Sequence, residues 1–289
     1  MRIIFLHIPK AGGTTFHSIL EGYFDQEVIK KPSVENGFLD FEVVNQLSKE
    51  EKSKIRLIKG HIYYGIHKAF DDNIETKYIS FLREPISRLT SHYFYAKSTP
   101  IHYLYNKIND GNITLEQYLL SDMSTELDNG QVRLISGIDS PINQCTNEHL
   151  EIAIRNIERD FVLCGTIEQF DSCLLLLKHK LNWNSYPFYK IMNQGAERKD
   201  IKLSEEVLEK VKIRNALAIQ LYNKVSENLN AEISRYPKMN EELALFQKLN
   251  AEYSHSLNSK EEEMPQLKRL VLFKLSAIKK AIKSFFEFK

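Results

Sequence analysis

The chain is poor in the features that would assign it to a special class. It has three cysteines, Cys145, Cys164 and Cys173, in 289 residues. That odd count in a long chain excludes a disulfide framework and predicts buried reduced thiols in a reducing compartment. No apolar run approaches the ~20 residues that cross a bilayer. Arg2-Ile3-Ile4-Phe5-Leu6 is too short for a signal h-region and runs straight into a Gly-rich turn, so the expected location is the cytoplasm. Net charge is also nearly absent, at +1, which excludes a global field for nucleic acid and leaves only a local basic cleft. No internal repeat or low-complexity tract interrupts the sequence.

What is present suits an ordinary soluble protein, with 43% hydrophobic and 27% charged residues. Its length supports one generous core, or one core with a small appendage. Ile3 to His7 reads as a buried strand, punctuated by Pro9 and Gly12-Gly13. Phe16, Ile19, Leu20, Tyr23 and Phe24 then recur with the spacing of an amphipathic helix. Further strands are expected at 55–59, 77–82 and 161–166. Helices are expected after Arg83-Glu84-Pro85, over Cys173 to Leu181, and as one long run over 204–230. This alternation predicts an α/β fold with an open, P-loop-like parallel sheet flanked by helices. Residues 1–237 are the expected main domain, and 238–289 a helical amphipathic C-terminal extension.

Ligands of such sheets sit beyond the carboxyl ends of the strands, and His7, Lys10, His61 and Arg83 all fall there. In His7-Ile8-Pro9-Lys10-Ala11-Gly12-Gly13-Thr14-Thr15-Phe16, the glycines let backbone approach an anion and the threonines offer hydroxyls at a helix start. Lys10 supplies a mobile charge. It precedes the glycines, unlike the lysine of a Walker A loop.

That segment resembles the 5′-phosphosulfate loop of carbohydrate sulfotransferases typified by the heparan sulfate 2-O- and 6-O-sulfotransferases, with Ala11 where the family commonly has Thr. The resemblance implies 3′-phosphoadenosine 5′-phosphosulfate (PAPS) as sulfuryl donor, without a metal, and a glycan or glycoconjugate hydroxyl as acceptor. It implies donor contacts from Lys10, Ala11, Gly12, Gly13, Thr14 and Thr15. Phe81 to Tyr93 resembles the 3′-phosphate block of the same family, which assigns Arg83 and Ser91 to that phosphate. Gly60-His61 resembles the Gly-His whose imidazole is the general base, with Lys10 stabilising the leaving phosphate. His67, His7 and Glu84 are the rival bases, and His7 is expected to pack beneath the loop.

Asn129 to Leu134 resembles a segment near the family's active site, which brings Gln131 and Arg133 toward the acceptor. Phe161 to Phe170, with Gly165, Thr166 and Glu168, resembles another strand end of the family. Asn193, Arg198 and Lys199 resemble a loop that closes over the nucleotide. Together these resemblances span about residues 1–230. The basic amphipathic stretch 266–289 fits either a peripheral membrane contact or docking on protein. The alternatives to a sulfotransferase are a P-loop phosphotransferase, which lacks an evident Walker B strand here, and a non-catalytic nucleotide-binding scaffold.

Overall fold

The computed structural model describes residues 1–25, 28–30, 34–35, 38–39, 44–190 and 203–261. Seven strands are present among them: β1 (Arg2–Leu6), β2 (Ile29–Lys30), β3 (Val34–Glu35), β4 (Phe38–Leu39), β5 (Leu57–Gly60), β6 (Thr76–Leu82) and β7 (Phe161–Thr166). The helices, in chain order, are α1 (Gly13–Glu21), α2 (Lys49–Lys54), α3 (Pro85–Ser98), α4 (Tyr105–Asp110), α5 (Leu115–Leu120) and α6 (Gly130–Ser136). They continue with α7 (Asn147–Asp160), α8 (Phe170–Lys180), α9 (Glu205–Arg214), α10 (Ala216–Ile233) and α11 (Met239–Glu261).

Five strands form one parallel sheet in the order β2-β5-β1-β6-β7. The small β3–β4 pair is antiparallel and separate. β1 lies at the centre, and successive side chains of a strand point to opposite faces. Ile4, Leu6, Ile58 and Leu82 therefore pack with Val132, Leu134 and Ile135 of α6, Ala153 of α7, and Leu221 and Val225 of α10. Ile3, Phe5, Leu57 and Ile79 pack on the other face with Phe16 and Leu20 of α1, and Leu174 to Leu177 of α8. A third apolar cluster joins α3, α4, α5 and α9 through Leu89, Tyr93, Ile108, Tyr118 and Val211. The expected α/β sheet flanked by helices is the fold observed.

Three local expectations change. The apolar stripe through Phe24 outruns its helix, because α1 ends at Gly22, whose N–H caps it on the carbonyls of Ile19 and Leu20. Tyr23 instead stacks on Trp183 at 4.1 Å and donates its hydroxyl to the Ser185 carbonyl at 2.8 Å. The strand expected from Ile55 begins at Leu57, since Ile55 caps α2. The long helix over 204–230 is two helices broken at Asn215, which is 1% exposed. Its amide donates to the carbonyls of Leu127 (3.0 Å) and Val211 (3.1 Å) and accepts from the Asn129 N–H (3.0 Å). Beyond residue 237, α11 contributes Met239 and Phe246 to the same buried cluster as β1 and α8. The stretch 266–289 lies outside the described residues.

Candidate active site

The sheet order sets the site. β5, β1 and β6 are neighbours, so the residues that follow them emerge side by side. Leu6 is in register with Gly60, and the His7 N–H donates to the Gly60 carbonyl at 2.9 Å. The chain then turns through two residues of positive φ, Lys10 (67°) and Gly12 (73°), before α1 begins. Only Gly adopts that geometry without strain, so Lys10 is held in an uncommon conformation at the tip of the loop.

Gly13 has a different reason. A Cβ there would overlap the imidazole of His7. His7 thus fills the space beneath the loop, and the backbone at Gly13 packs directly on its ring. Ala11 is buried in the core, and its N–H donates to Ile8 at 3.2 Å. It offers an anion neither side chain nor N–H, so its part is the shape of the turn. The N-cap of α1 carries no side-chain hydrogen bond. The first N–H groups of a helix have no carbonyl of their own, so those near Gly13, Thr14 and Thr15 and the positive dipole end face the loop. Thr14 is exposed and Thr15 half-buried.

His61 follows β5. Its Nδ1 lies 2.9 Å from the His7 carbonyl. A carbonyl only accepts, so Nδ1 carries a proton, and the neutral tautomer consistent with this bond has its lone pair on Nε2. The His61 ring stacks on His7 with centroids 4.3 Å apart and planes at 26°. Burial holds the His7 pKa well below the usual imidazole value, and the nearby His61, His17 and Lys10 push the same way. A neutral His7 spares its neighbours another positive charge.

The rival bases have partners of their own. Glu84 accepts from the N–H groups of Ile86 (3.0 Å) and Ser87 (2.7 Å), capping α3 in front of Pro85. His67 Nδ1 is 2.8 Å from the Tyr78 hydroxyl.

Arg83 ends β6 half-buried, and its guanidinium donates to the Lys10 carbonyl at 3.3 Å. The two parts of the expected donor site therefore touch. Ser91 lies two turns along α3 and is 2% exposed, so Arg83 is the accessible half of that pair. Gln131, expected near the acceptor, is 0% exposed. Its amide accepts from the Arg83 N–H (3.0 Å) and donates to the Arg83 carbonyl (2.9 Å). Its work is to hold the Arg83 backbone. Arg133 is likewise turned inward, paired with Asp128 and donating to the carbonyls of Ser140 and Pro141. The structure thus gathers Lys10, Gly12, Gly13, His61 and Arg83, gives Gln131 a supporting place behind Arg83, and turns Arg133 to Asp128 and the carbonyls of Ser140 and Pro141. Glu168 accepts from the Glu84 N–H at 3.0 Å, which ties the end of β7 to the start of α3. Asn193, Arg198 and Lys199 lie outside the described residues.

Sequence reasoning passed over the buried pair Arg88–Glu126, whose side chains meet at 2.5 Å beneath α3. Gly130 is tied to it, since a Cβ there would press on both. A cleft of about 460 Å³ lined by Asp128, Asn129, Asn143, Cys145 and Arg214 includes none of Lys10, His61 or Arg83. Asn129 in it is spent on Asp128, Ala218 and the Arg214 carbonyl, so the cleft belongs to the scaffold. Among the described residues no helix is long and apolar enough to cross a membrane.

A parallel sheet whose central strand feeds a Gly-rich, lysine-tipped loop and a helix N-terminus, with a histidine and an arginine after the flanking strands, is the arrangement of an α/β protein of the sulfotransferase kind. The galactose-3-O-sulfotransferase family model matches residues 2–252, and the chain belongs to that family. The expected membership in a carbohydrate sulfotransferase family is met, the matching family model being the galactose-3-O group. A curated relative, human galactose-3-O-sulfotransferase 2, is 27% identical over 169 residues, covering 55% of this chain. That stretch is 41% of the human protein, so the chain matches less than half of the relative's length.

Proposed function

We propose that the protein transfers the sulfuryl group of PAPS to a glycan hydroxyl, the 3-hydroxyl of a galactose being the expected position. The observation that carries the reading is His61 beside the Lys10 loop, its Nδ1 bonded to the His7 carbonyl at 2.9 Å, so that Nε2 is the nitrogen available to act as base. The cradle fits a phosphosulfate: two positive-φ residues, a glycine pressed on His7, and a helix start without a side-chain cap. PAPS supplies the sulfuryl group and a leaving 5′-phosphate.

Within this site Lys10 neutralises the charge that develops on the leaving oxygen as the S–O bond breaks. His61 Nε2 takes the proton of the acceptor hydroxyl as its oxygen bonds to sulfur. Arg83 holds the 3′-phosphate through forked, charge-assisted bonds, and Gln131 keeps the Arg83 backbone in place. Positioning and charge neutralisation do most of the work, as in phosphoryl transfer.

The test is incubation with sulfur-labelled PAPS and a panel of galactose-terminated and other glycans. Label should pass to a galactoside with release of 3′-phosphoadenosine 5′-phosphate (PAP). Absence of transfer to every glycan, with PAP failing to bind, would sink the reading.

A further inference from the structure

The region around residues 95–103 has no interpretable motif, yet it places aromatic rings against the tip of the loop. Lys10 Nζ lies 3.9 Å from the centre of the Tyr95 ring. Tyr95 meets His102 edge-on with centroids 5.6 Å apart, and His102 stacks on Tyr103 at 4.7 Å and 28°. These rings are not hidden: Tyr95 is 42% exposed, Tyr103 54% and the adjoining Ile101 94%.

They are also held still. The His102 N–H donates to the Thr99 carbonyl at 2.9 Å, and the Tyr105 N–H to the His102 carbonyl at 2.9 Å. The Tyr103 hydroxyl lies 2.8 Å from Ser124 Oγ. His102 Nδ1 accepts from the Leu104 N–H at 3.2 Å, so the neutral ring carries its proton on Nε2 as a donor. Burial, then Lys10, lowers the His102 pKa, which keeps that ring neutral.

We infer that Tyr95, His102 and Tyr103 form the acceptor subsite, a platform on which the apolar face of a neutral galactose ring lies while its hydroxyls meet the rim. The inference rests on the sulfuryl-transfer reading and adds where the sugar sits. Aromatic rings that present an apolar face beside a polar tip are suited to hold a ligand that is itself apolar on one side and polar at its edge. Its place beside Lys10 puts a bound sugar next to the reacting groups. The electrostatic neighbours agree: Lys10 and Glu126 both act on His102, and His61 acts on Glu126. The rings themselves carry no charge, and what they offer a sugar is contact with its apolar face.

The adenine of the donor is the other flat ligand that could stack on such rings, and the experiment separates the two. Tyr103 is the cleaner probe, because Tyr95 touches Lys10. With the full chain, Tyr103→Ala should raise the acceptor KM for lactose about tenfold, as loss of one aromatic contact does. The expected kcat stays within about twofold by the same reasoning, PAP affinity is unchanged, and Tyr103→Phe behaves as wild type. Saturation-transfer NMR with lactose and PAP should lose the sugar signal in Tyr103→Ala. An unchanged lactose signal and KM in a folded Tyr103→Ala, with wild type turning over, overturns the platform and leaves the proposed activity standing. A fall in PAP affinity in place of the lactose effect overturns it in favour of adenine. If wild type sulfates nothing but Tyr103→Ala still loses lactose binding, the platform stands and the activity falls.

Discussion

The two ends of the same sheet use their charges in opposite ways. At the amino ends of the strands Arg2 is 0% exposed. Its guanidinium serves the carbonyls of Ile55 and Lys52, the carboxylate of Asp72 and the Thr76 hydroxyl, and lies 3.7 Å from the Phe70 ring centre. At the carboxyl ends His7, Lys10, His61 and Arg83 gather around a loop with two positive-φ residues and the positive end of α1. The first end spends a cation on closing the protein. The second leaves the charged ends of Lys10 and Arg83 beside the turn where the backbone is least regular. Buried charge alone does not mark a functional end; the sign left facing outward does.

Substitutions at the two ends should therefore separate activity from stability. The largest effect is expected for His61→Ala, a fall in single-turnover rate of about 10²–10⁴-fold with PAP affinity nearly intact. A retained rate would show that His61 is not the base. Arg83→Ala should weaken PAP binding by about ten- to a hundredfold, the worth of charged hydrogen bonds, as read by calorimetry. At the opposite end Arg2→Met should cost about 3 kcal/mol, because it strands the half-buried Asp72 carboxylate, while the rate per folded molecule stays constant. Equal losses of rate at both ends would erase the contrast.

Gly13→Ala lies between these cases. It should lower stability by about 1–3 kcal/mol through overlap with His7, and it should also disturb donor binding, because the displaced ring supports the loop. A pH effect is the smallest. Burial lowers the His92 pKa from 6.5 to about 4. Between those values the unfolded chain binds more protons than the folded one, so stability falls as pH falls through that window. Urea melts at about pH 7 and about pH 5 should show this loss, and His92→Gln should reduce it, with the buried His7 contributing in the same direction.

Strands that alternate cleanly between two buried faces were legible in the sequence, as were the punctuating glycines of the donor loop. Their causes are local: side-chain period, turn conformation and helix start. The break at Asn215 was not legible, because its reason is a contact with Leu127 and Asn129, far away in the chain. Gln131 and Arg133 carried a motif that pointed at the acceptor, yet burial gave one to the Arg83 backbone and the other to Asp128. The aromatic surface beside Lys10 had no signal at all. Tyr95, His102 and Tyr103 become neighbours only once α3 and the turn after it are formed.

Gln131 has one last consequence, for anyone who would diversify this protein. Its amide mimics a strand edge, one donor and one acceptor in a plane, facing the N–H and carbonyl of Arg83. Glutamate would set a carboxylate oxygen against that carbonyl, and methionine would keep the bulk with neither bond. A library that randomises Gln131 to tune the acceptor would instead scramble the donor side. The position is better frozen, and the variation moved to the exposed rings.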